Sequence, residues 1–408
     1  MKNIIKIKKI TKEKFEQYLI LLLSFAYSFG VGNAEKYIVL IILFAMIINA
    51  FIFDGGKIYI ERNKQLRLLS IWGITYSIMY IMDGNGFLEG FVYYLGAPFI
   101  ITMAYKRISI HFYQEKQYIL LFIVLTLGFY LHGLVDVLIS IKNHVFIYSS
   151  EYVLDYWSDS YINRTIIGMY LTPFVCISIP IILLGRKIIG IVTRMILSGA
   201  FIVAVLISIY LGNRSLLIIS ALLIFFGMIF GFKVSKHKSI FLCNILIIIF
   251  FVLVLGFFNQ DTLAKYISQS FLTKRYQDGA LNNSRFLIYS QIGSHFWDYA
   301  FGWITSREAN TGISLSFAHN VWLDILIYGG FLSAFFFVMY TISIMKDVIS
   351  IYKKSNYACF KLLVITFTIG IFLNWFVEPV LNADPYYFSS CCGIFSVCGQ
   401  YAKKLRLK

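Results

Sequence analysis

The chain has 408 residues, of which 59% are hydrophobic and only 14% are charged. Soluble domains carry roughly 25% charged residues, so this composition excludes an ordinary soluble domain. The formal net charge of +16 does not indicate nucleic-acid binding, because the basic residues lie at short intervals between apolar runs. We therefore expect an all-α, polytopic membrane protein with no nucleic-acid partner.

Apolar runs predict about twelve transmembrane spans in a single transmembrane domain covering 1–408, since about 20 apolar residues cross the hydrocarbon core as a helix. In chain order, spans one to twelve are residues 15–31, 37–53, 66–82, 87–105, 118–141, 165–184, 191–211, 215–232, 240–258, 319–345, 360–376 and 386–401.

The distribution of Lys and Arg predicts the orientation of these spans. With the N-terminus inside, 27 of the 36 Lys and Arg residues lie in inner segments and nine lie in outer segments. Every inner loop is then basic, as the positive-inside rule requires. We expect both termini in the cytoplasm and the working surface on the outer side of an inner membrane.

Two outer loops are long enough to carry function. The first is 142–164, and the second is a large periplasmic loop, 259–318, between spans nine and ten. Within the second, residues 284–299 place aromatic side chains on one helical face, which indicates a short amphipathic helix on the outer leaflet.

Ionisable residues near membrane depth are costly, so each one is a candidate for function. Arg214 lies in the tight turn between spans seven and eight, Arg285 lies in the large outer loop, and His319 with Asn320 opens span ten. An arginine fork matches phosphate oxygens bidentately. A histidine can exchange a proton near neutral pH.

A second group of candidates lies in span five and in the loop after it. His132 and Asp136 are four residues apart and share a helical face, as substrate ligands or as a structural intramembrane pair. The loop after span five carries carboxylates and aromatic side chains, namely Glu151, Asp155, Tyr156, Trp157 and Asp159. Carbohydrate sites combine carboxylates with aromatic faces, so one interpretation is that this loop contacts sugar. The other interpretation is a solvated loop.

No metal or cofactor is predicted. The chain has no Asp-x-Asp motif, and the spacing of its six cysteines does not match a zinc site.

The later half of the chain resembles a known family. The segments Ser284-Arg285-Phe286, Phe301-Gly302, Ala318-His319-Asn320-Val321-Trp322-Leu323 and Gly329-Gly330 follow one another in this order. The pattern Arg…Phe-Gly…His-Asn-x-x-Leu…Gly-Gly resembles the late half of bacterial O-antigen polymerases and O-antigen ligases. Gly212-Asn213-Arg214-Ser215 is similar to a turn before a membrane helix in the same superfamily. At motif level the resemblance covers residues 210–333.

The resemblance implies a GT-C-like integral membrane glycosyltransferase. Such an enzyme joins undecaprenyl-pyrophosphate-linked oligosaccharide repeats into O-antigen or a capsule-like polymer at the periplasmic face of the bacterial inner membrane. It implies Arg214 and Arg285 at the pyrophosphate, His319 at the acceptor hydroxyl, and Asn320 at the histidine or a sugar hydroxyl. Its implied partners are the lipid-linked glycan, inner-membrane lipid, a flippase and a chain-length regulator.

Three alternatives stay open at this point. An O-antigen ligase, which transfers polymer to lipid A-core, shares the motifs and the topology. A transporter or flippase of a lipid-linked glycan would place its site near the midplane, often between repeated halves, and no repeated half is visible. A membrane scaffold without catalytic activity is the last.

Overall fold

A computed structural model describes residues 18–53, 64–82, 84, 86–110, 112, 114–148, 151–187, 189–235, 238–239, 241–242, 265, 268, 270–271, 273, 284–302 and 318–407. Nearly all of span nine and most of the large outer loop lie outside the described residues. The described residues are mostly helical, as expected of an all-α membrane protein.

The described elements follow the predicted spans closely. In chain order they are α1 Tyr18–Ser28, α2 Glu35–Phe53, α3 Lys64–Met82, α4 Phe87–Ile110, α5 Glu115–Lys142, α6 Val145–Tyr148, β1 Tyr152–Leu154, β2 Tyr161–Asn163, α7 Arg164–Leu184, α8 Ile191–Leu211, α9 Arg214–Val234, α10 Ser284–Ser294, α11 Val321–Lys354, α12 Ala358–Val377, α13 Val380–Ala383 and α14 Pro385–Leu407.

Seven of these helices are long and apolar enough to cross a membrane: α4, α5, α7, α8, α9, α11 and α12. They correspond to predicted spans four to eight, ten and eleven, and they indicate a membrane-embedded protein. Helices α1, α2, α3 and α14 lie where spans one, two, three and twelve were predicted. The total of twelve spans and the GT-C-like fold stay predictions.

The chain divides into two compact units. The first comprises Met1–Phe129, Ile292–Ser350 and Pro379–Lys408, and the second comprises Tyr130–Gln291 and Ile351–Glu378. His319 and Asn320 belong to the first unit. Arg214, Arg285 and the candidates of the first outer loop belong to the second.

In the first unit, α14 packs closely against α4. A Cβ atom added to Gly393 of α14 would lie 2.5 Å from Cδ2 of Tyr105, so the small residue lets the two helices approach. Trp72 of α3 is fully buried, and its ring centroid lies 5.4 Å from that of Phe337 and 5.3 Å from that of Phe388. These contacts hold the middle of α11, at Phe337, within a packed core.

In the second unit, α7 is the most buried of the apolar helices and packs against α8, α9 and α12. Pro180 has no N–H to donate to the carbonyl oxygen of Cys176, four residues earlier. The Thr366 hydroxyl of α12 lies 2.8 Å from that oxygen and can donate to it. A Cβ atom on Gly370 would lie 2.2 Å from the Cys176 sulfur, so a small residue is required there as well. The proline is thus accommodated because the neighbouring helix supplies the missing donor.

Candidate functional site

The His-Asn turn, Ala318 to Asn320, is fixed by hydrogen bonds to the start of α11. Asn320 Oδ1 accepts from the backbone N–H groups of Trp322 at 3.1 Å and Leu323 at 3.2 Å, which is the geometry of a helix N-cap. Asp324 Oδ1 accepts from the Ala318 N–H at 2.7 Å, and the Asp324 N–H donates to the Asn320 carbonyl at 2.7 Å. The turn is therefore tied to the helix on both sides of His319.

His319 itself has a left-handed backbone, with φ of 53°. This conformation is uncommon for residues other than glycine, and it is retained where the surrounding structure determines it. Here the surrounding structure is the pair of hydrogen-bonded residues Asn320 and Asp324. The side chain of His319 is half-buried and starts from a defined backbone position at the mouth of α11.

Asp324 is a site residue that sequence reasoning missed. It is fully buried, and its Oδ2 atom accepts no hydrogen bond from any of the residues that the structure describes. A signal was available, because Asp324 is the one acidic or basic residue in 321–345, an otherwise apolar run. Because Asp324 lies in the first turn of α11, a hydrogen-bond partner in the segment just before the helix was also to be expected.

Gly302 and Gly330 allow the segment before the His-Asn turn to pack closely against α11. Gly302 and Gly330 have φ of 86° and 71°, which favours glycine. An added Cβ would lie 2.4 Å from the Tyr328 carbonyl oxygen at Gly302 and 2.6 Å from the Ala300 carbonyl oxygen at Gly330. The Phe331 N–H also donates to the Ala300 carbonyl at 3.0 Å. The Phe-Gly and Gly-Gly parts of the motif are therefore two sides of one backbone contact.

The turn that carries Arg214 is built in a similar way. Gly212 ends α8 with φ of 65°, and Asn213 Oδ1 caps α9 by accepting from the Leu216 N–H at 3.1 Å. The Ser215 hydroxyl lies between Asn213 Oδ1, at 2.7 Å, and Oε1 of the buried Glu378. Arg214 is the first residue of α9, and its side chain is exposed. The sequence left Glu378 without a role, and the structure places it beneath this turn.

Arg285 is the second residue of α10, and its side chain lies outside the described residues. Helix α10 and the 3₁₀ turn Phe296–Tyr299 occupy the segment for which an amphipathic helix was predicted. Arg214 and His319 belong to different compact units. The convergence of Arg214, Arg285 and His319 around one cavity therefore stays a prediction.

The first outer loop folds back along α5. The Leu154 N–H donates to Ser140 Oγ at 2.8 Å, and the Tyr156 N–H donates to Asp136 Oδ1 at 3.0 Å. Ser140 and Asp136 are one helical turn apart on the same face of α5. The loop is a small hairpin, because β1 pairs antiparallel with β2, and it is not simply solvated.

This fold brings Asp155 to the His132–Asp136 pair. His132 Nε2 lies 3.3 Å from Asp155 Oδ2 and 3.5 Å from Asp136 Oδ2. One ligand atom from each of the three residues lies within 4.8 Å of the others, and all three residues are buried. Tyr170 of α7 stacks on the imidazole, with centroids 4.8 Å apart. We call His132, Asp136 and Asp155 the outer-loop triad.

The carboxylate of Asp155 also organises its own turn. Its Oδ1 atom accepts from the Trp157 and Ser158 N–H groups, each at 2.8 Å. Burial alone would raise the pKa of this carboxyl group, but hydrogen bonds from His132 and the Ser158 N–H outweigh burial and lower the pKa below its ordinary value of 3.8. Asp155 is therefore ionised at neutral pH.

Two aromatic side chains stand beside the triad. Tyr156 is exposed and Trp157 is partly exposed, and their ring centroids are 4.8 Å apart at 56°. Their position follows from the Asp155 turn, which the Tyr156 N–H ties to Asp136. Accessible aromatic rings next to carboxylates are compatible with sugar contact, and that assignment stays a prediction.

Comparison with known proteins adds no assignment, since no family model matches the sequence and no curated protein shows significant similarity to it. The activity must therefore be argued from the motifs and the local geometry of these two groups of residues.

Proposed function

We propose that this protein polymerises undecaprenyl-pyrophosphate-linked oligosaccharide repeats into O-antigen or a capsule-like polysaccharide at the periplasmic face of the bacterial inner membrane. A hydroxyl group of the acceptor repeat attacks the anomeric carbon of the donor glycan. A new glycosidic bond forms, the bond to pyrophosphate breaks, and undecaprenyl pyrophosphate leaves. Both termini are then cytoplasmic, and a flippase and a chain-length regulator are the expected partners.

The observation that carries this proposal is the construction of the His-Asn turn. The resemblance to the polymerase and ligase superfamily depends on His-Asn at the start of a membrane helix and on glycines before and after it. In this chain His319 is fixed between the Asn320 cap and Asp324, and Gly302 packs on the backbone around Gly330. A side chain that must take a proton in a defined direction needs such support from neighbouring residues.

In this proposal His319 accepts the proton of the acceptor hydroxyl. General-base assistance of this kind contributes about 10²- to 10⁴-fold to a rate. Arg214 and Arg285 bind the pyrophosphate and stabilise the charge that develops as it leaves. Asn320 is committed to the helix cap through Oδ1, so its amide group is the part that can orient a sugar hydroxyl.

The first experiment is a deletion of the gene in its source bacterium, followed by electrophoresis of the surface glycan. Lipid A carrying a single repeat would support the polymerase. Loss of glycan from lipid A, with polymer accumulating on the carrier lipid, would instead identify a ligase. Accumulation of single lipid-linked repeats on the cytoplasmic side would identify a flippase.

Complementation with variants then tests the residues. His319→Ala should insert normally and reduce the product to single repeats. His295→Ala is the matched control, because His295 is also in the first unit but forms an exposed pair with Asp298. Long chains from His319→Ala would exclude a chemical role for that residue.

The arginine assignment has its own test. Arg214→Lys should lower polymer formation roughly tenfold, because loss of one charge-assisted hydrogen bond costs about 1.5 kcal/mol. Arg186→Lys is the control, since Arg186 is also exposed but lies before α8, whereas Arg214 lies after it. Normal polymer from Arg214→Lys and Arg285→Lys together would remove the pyrophosphate assignment.

A further inference from the structure

The geometry points to a site for a first-row divalent metal ion, of the Zn²⁺ type, held by His132, Asp136 and Asp155. Neither the sequence motifs nor the proposed glycosyl transfer calls for such a site. The inference goes beyond the proposed function, because the ion would fasten the first outer loop to α5 whatever reaction the protein performs.

The distances fit metal ligands. Donor atoms about 2.1 Å from a tetrahedral zinc ion are separated from one another by about 3.4 Å. His132 Nε2 lies 3.3 Å from Asp155 Oδ2 and 3.5 Å from Asp136 Oδ2. All three ligand atoms lie within 4.8 Å of one another, so a small inward shift of the carboxylates would bring each of them into contact with a single ion. Three protein ligands leave a fourth position for water or a substrate oxygen.

The remaining carboxylate oxygens are already occupied in a way that orients the ligands. Asp136 Oδ1 accepts from the Tyr156 N–H at 3.0 Å, and Asp155 Oδ1 accepts from the Trp157 and Ser158 N–H groups. These bonds turn both Oδ2 atoms towards His132. Hydrogen bonds of this kind around ligand side chains fix their orientation and strengthen metal binding.

A dication would balance the charge of the triad. Asp136 is fully buried, and its Oδ2 atom accepts no hydrogen bond within the described part of the chain. A buried carboxylate is costly away from water unless a proton or a cation neutralises it. Two carboxylates, a neutral imidazole and a divalent cation sum to zero. A mixed imidazole and carboxylate set also selects zinc or another first-row ion over magnesium.

The test is a metal count on the full-length protein. The protein is purified in detergent through a tag without histidines, stripped with EDTA, incubated with Zn²⁺ and desalted, and bound zinc is measured by mass spectrometry. We expect about one zinc per chain, an increase in melting temperature with Zn²⁺, and a much smaller increase with Mg²⁺.

Asp155→Asn is the informative variant. Its amide oxygen can still accept from the Trp157 and Ser158 N–H groups, so the turn should persist while the anionic ligand is lost. Zinc affinity should fall at least about tenfold, and His132→Gln should behave alike. Asp159→Asn, in the same loop and exposed, should bind zinc like the parent protein.

Zinc content near zero in the parent protein would overturn the site. Zinc retained equally by Asp155→Asn and the parent protein would also overturn it, because the ion would then be bound elsewhere. Neither readout depends on polymer synthesis, so a failed glycan assay and a failed metal site can be told apart.

Discussion

Asp324 is the residue whose replacement tests the support of His319 most directly. Its Oδ1 atom accepts from the Ala318 N–H at 2.7 Å, and Ala318 is 1% exposed, so water cannot readily replace the lost acceptor in Asp324→Ala. A buried N–H left without a partner costs about 1–3 kcal/mol. If the catalytic geometry must bear this whole cost, the rate of polymerisation falls between about fivefold and 150-fold.

The variant should be compared with Asp324→Asn, which keeps an acceptor at the Oδ1 position. Asp324→Asn would place a buried amide where Oδ2 accepts no hydrogen bond from the described residues. The polymerisation rate should therefore fall less than in Asp324→Ala, but by a measurable amount. The assay is the initial rate of polymer formation in membranes supplied with lipid-linked repeats, normalised to the inserted protein. Asp298→Ala is the control, because Asp298 is partly exposed in the first unit.

Three results would refute the reasoning. A rate for Asp324→Ala equal to that of the parent protein would mean that the hydrogen bond does not position His319. Equal losses in Asp324→Ala and Asp324→Asn would mean that the negative charge matters rather than the acceptor. Loss of inserted protein in both variants would move the role of Asp324 from positioning to folding.

Two further predictions concern stability and are read by thermal unfolding in detergent. Gly330→Ala should lower the free energy of unfolding by at least about 1–3 kcal/mol, since the φ of Gly330 is 71° and the new Cβ would lie 2.6 Å from a backbone oxygen. Gly293→Ala is the control and should be neutral or stabilising, because nothing lies within 4 Å of its added Cβ. Equal melting temperatures for the two variants would contradict the close contact at Gly330. Thr366→Val should lower the free energy of unfolding by about 1 kcal/mol, because the Cys176 carbonyl oxygen, which receives no N–H from Pro180, loses its donor. Thr368→Val should lower it less, because the Thr368 hydroxyl donates to Val364 of its own helix. The opposite order would show that the Cys176 carbonyl needs no donor.

The positions of the helices could be predicted because hydrocarbon thickness sets the length of an apolar run. The prediction for α8 coincides with the observed helix at Ile191–Leu211. The composition is less informative for α14, where Ser389, Ser390 and Ser396 are almost completely buried. A helix enclosed by other helices can carry polar and small residues, so its mean hydropathy falls below that of a lipid-facing helix.

The contacts that build the sites could not be predicted in the same way. The pair Ser215–Glu378 joins residues 163 positions apart, and no local period reports such a contact. The hairpin of the first outer loop was missed because β1 and β2 have three residues each, which is too short for a two-residue alternation to be recognised. Asp136 and His132 could be paired from their spacing, but the third member required knowing that the loop folds back along α5.

One physical constraint unites the His-Asn turn and the outer-loop triad. Backbone N–H groups in turns need acceptors, and here aspartates supply them: Asp324 for Ala318, Asp136 for Tyr156, and Asp155 for Ser158. Each aspartate uses Oδ1 for this structural bond. This bond fixes the position of the Oδ2 atom and leaves that atom available to another partner. In Asp136 and Asp155 those second oxygens face the same imidazole nitrogen, which is why the loop geometry, rather than any sequence motif, creates a ligand set.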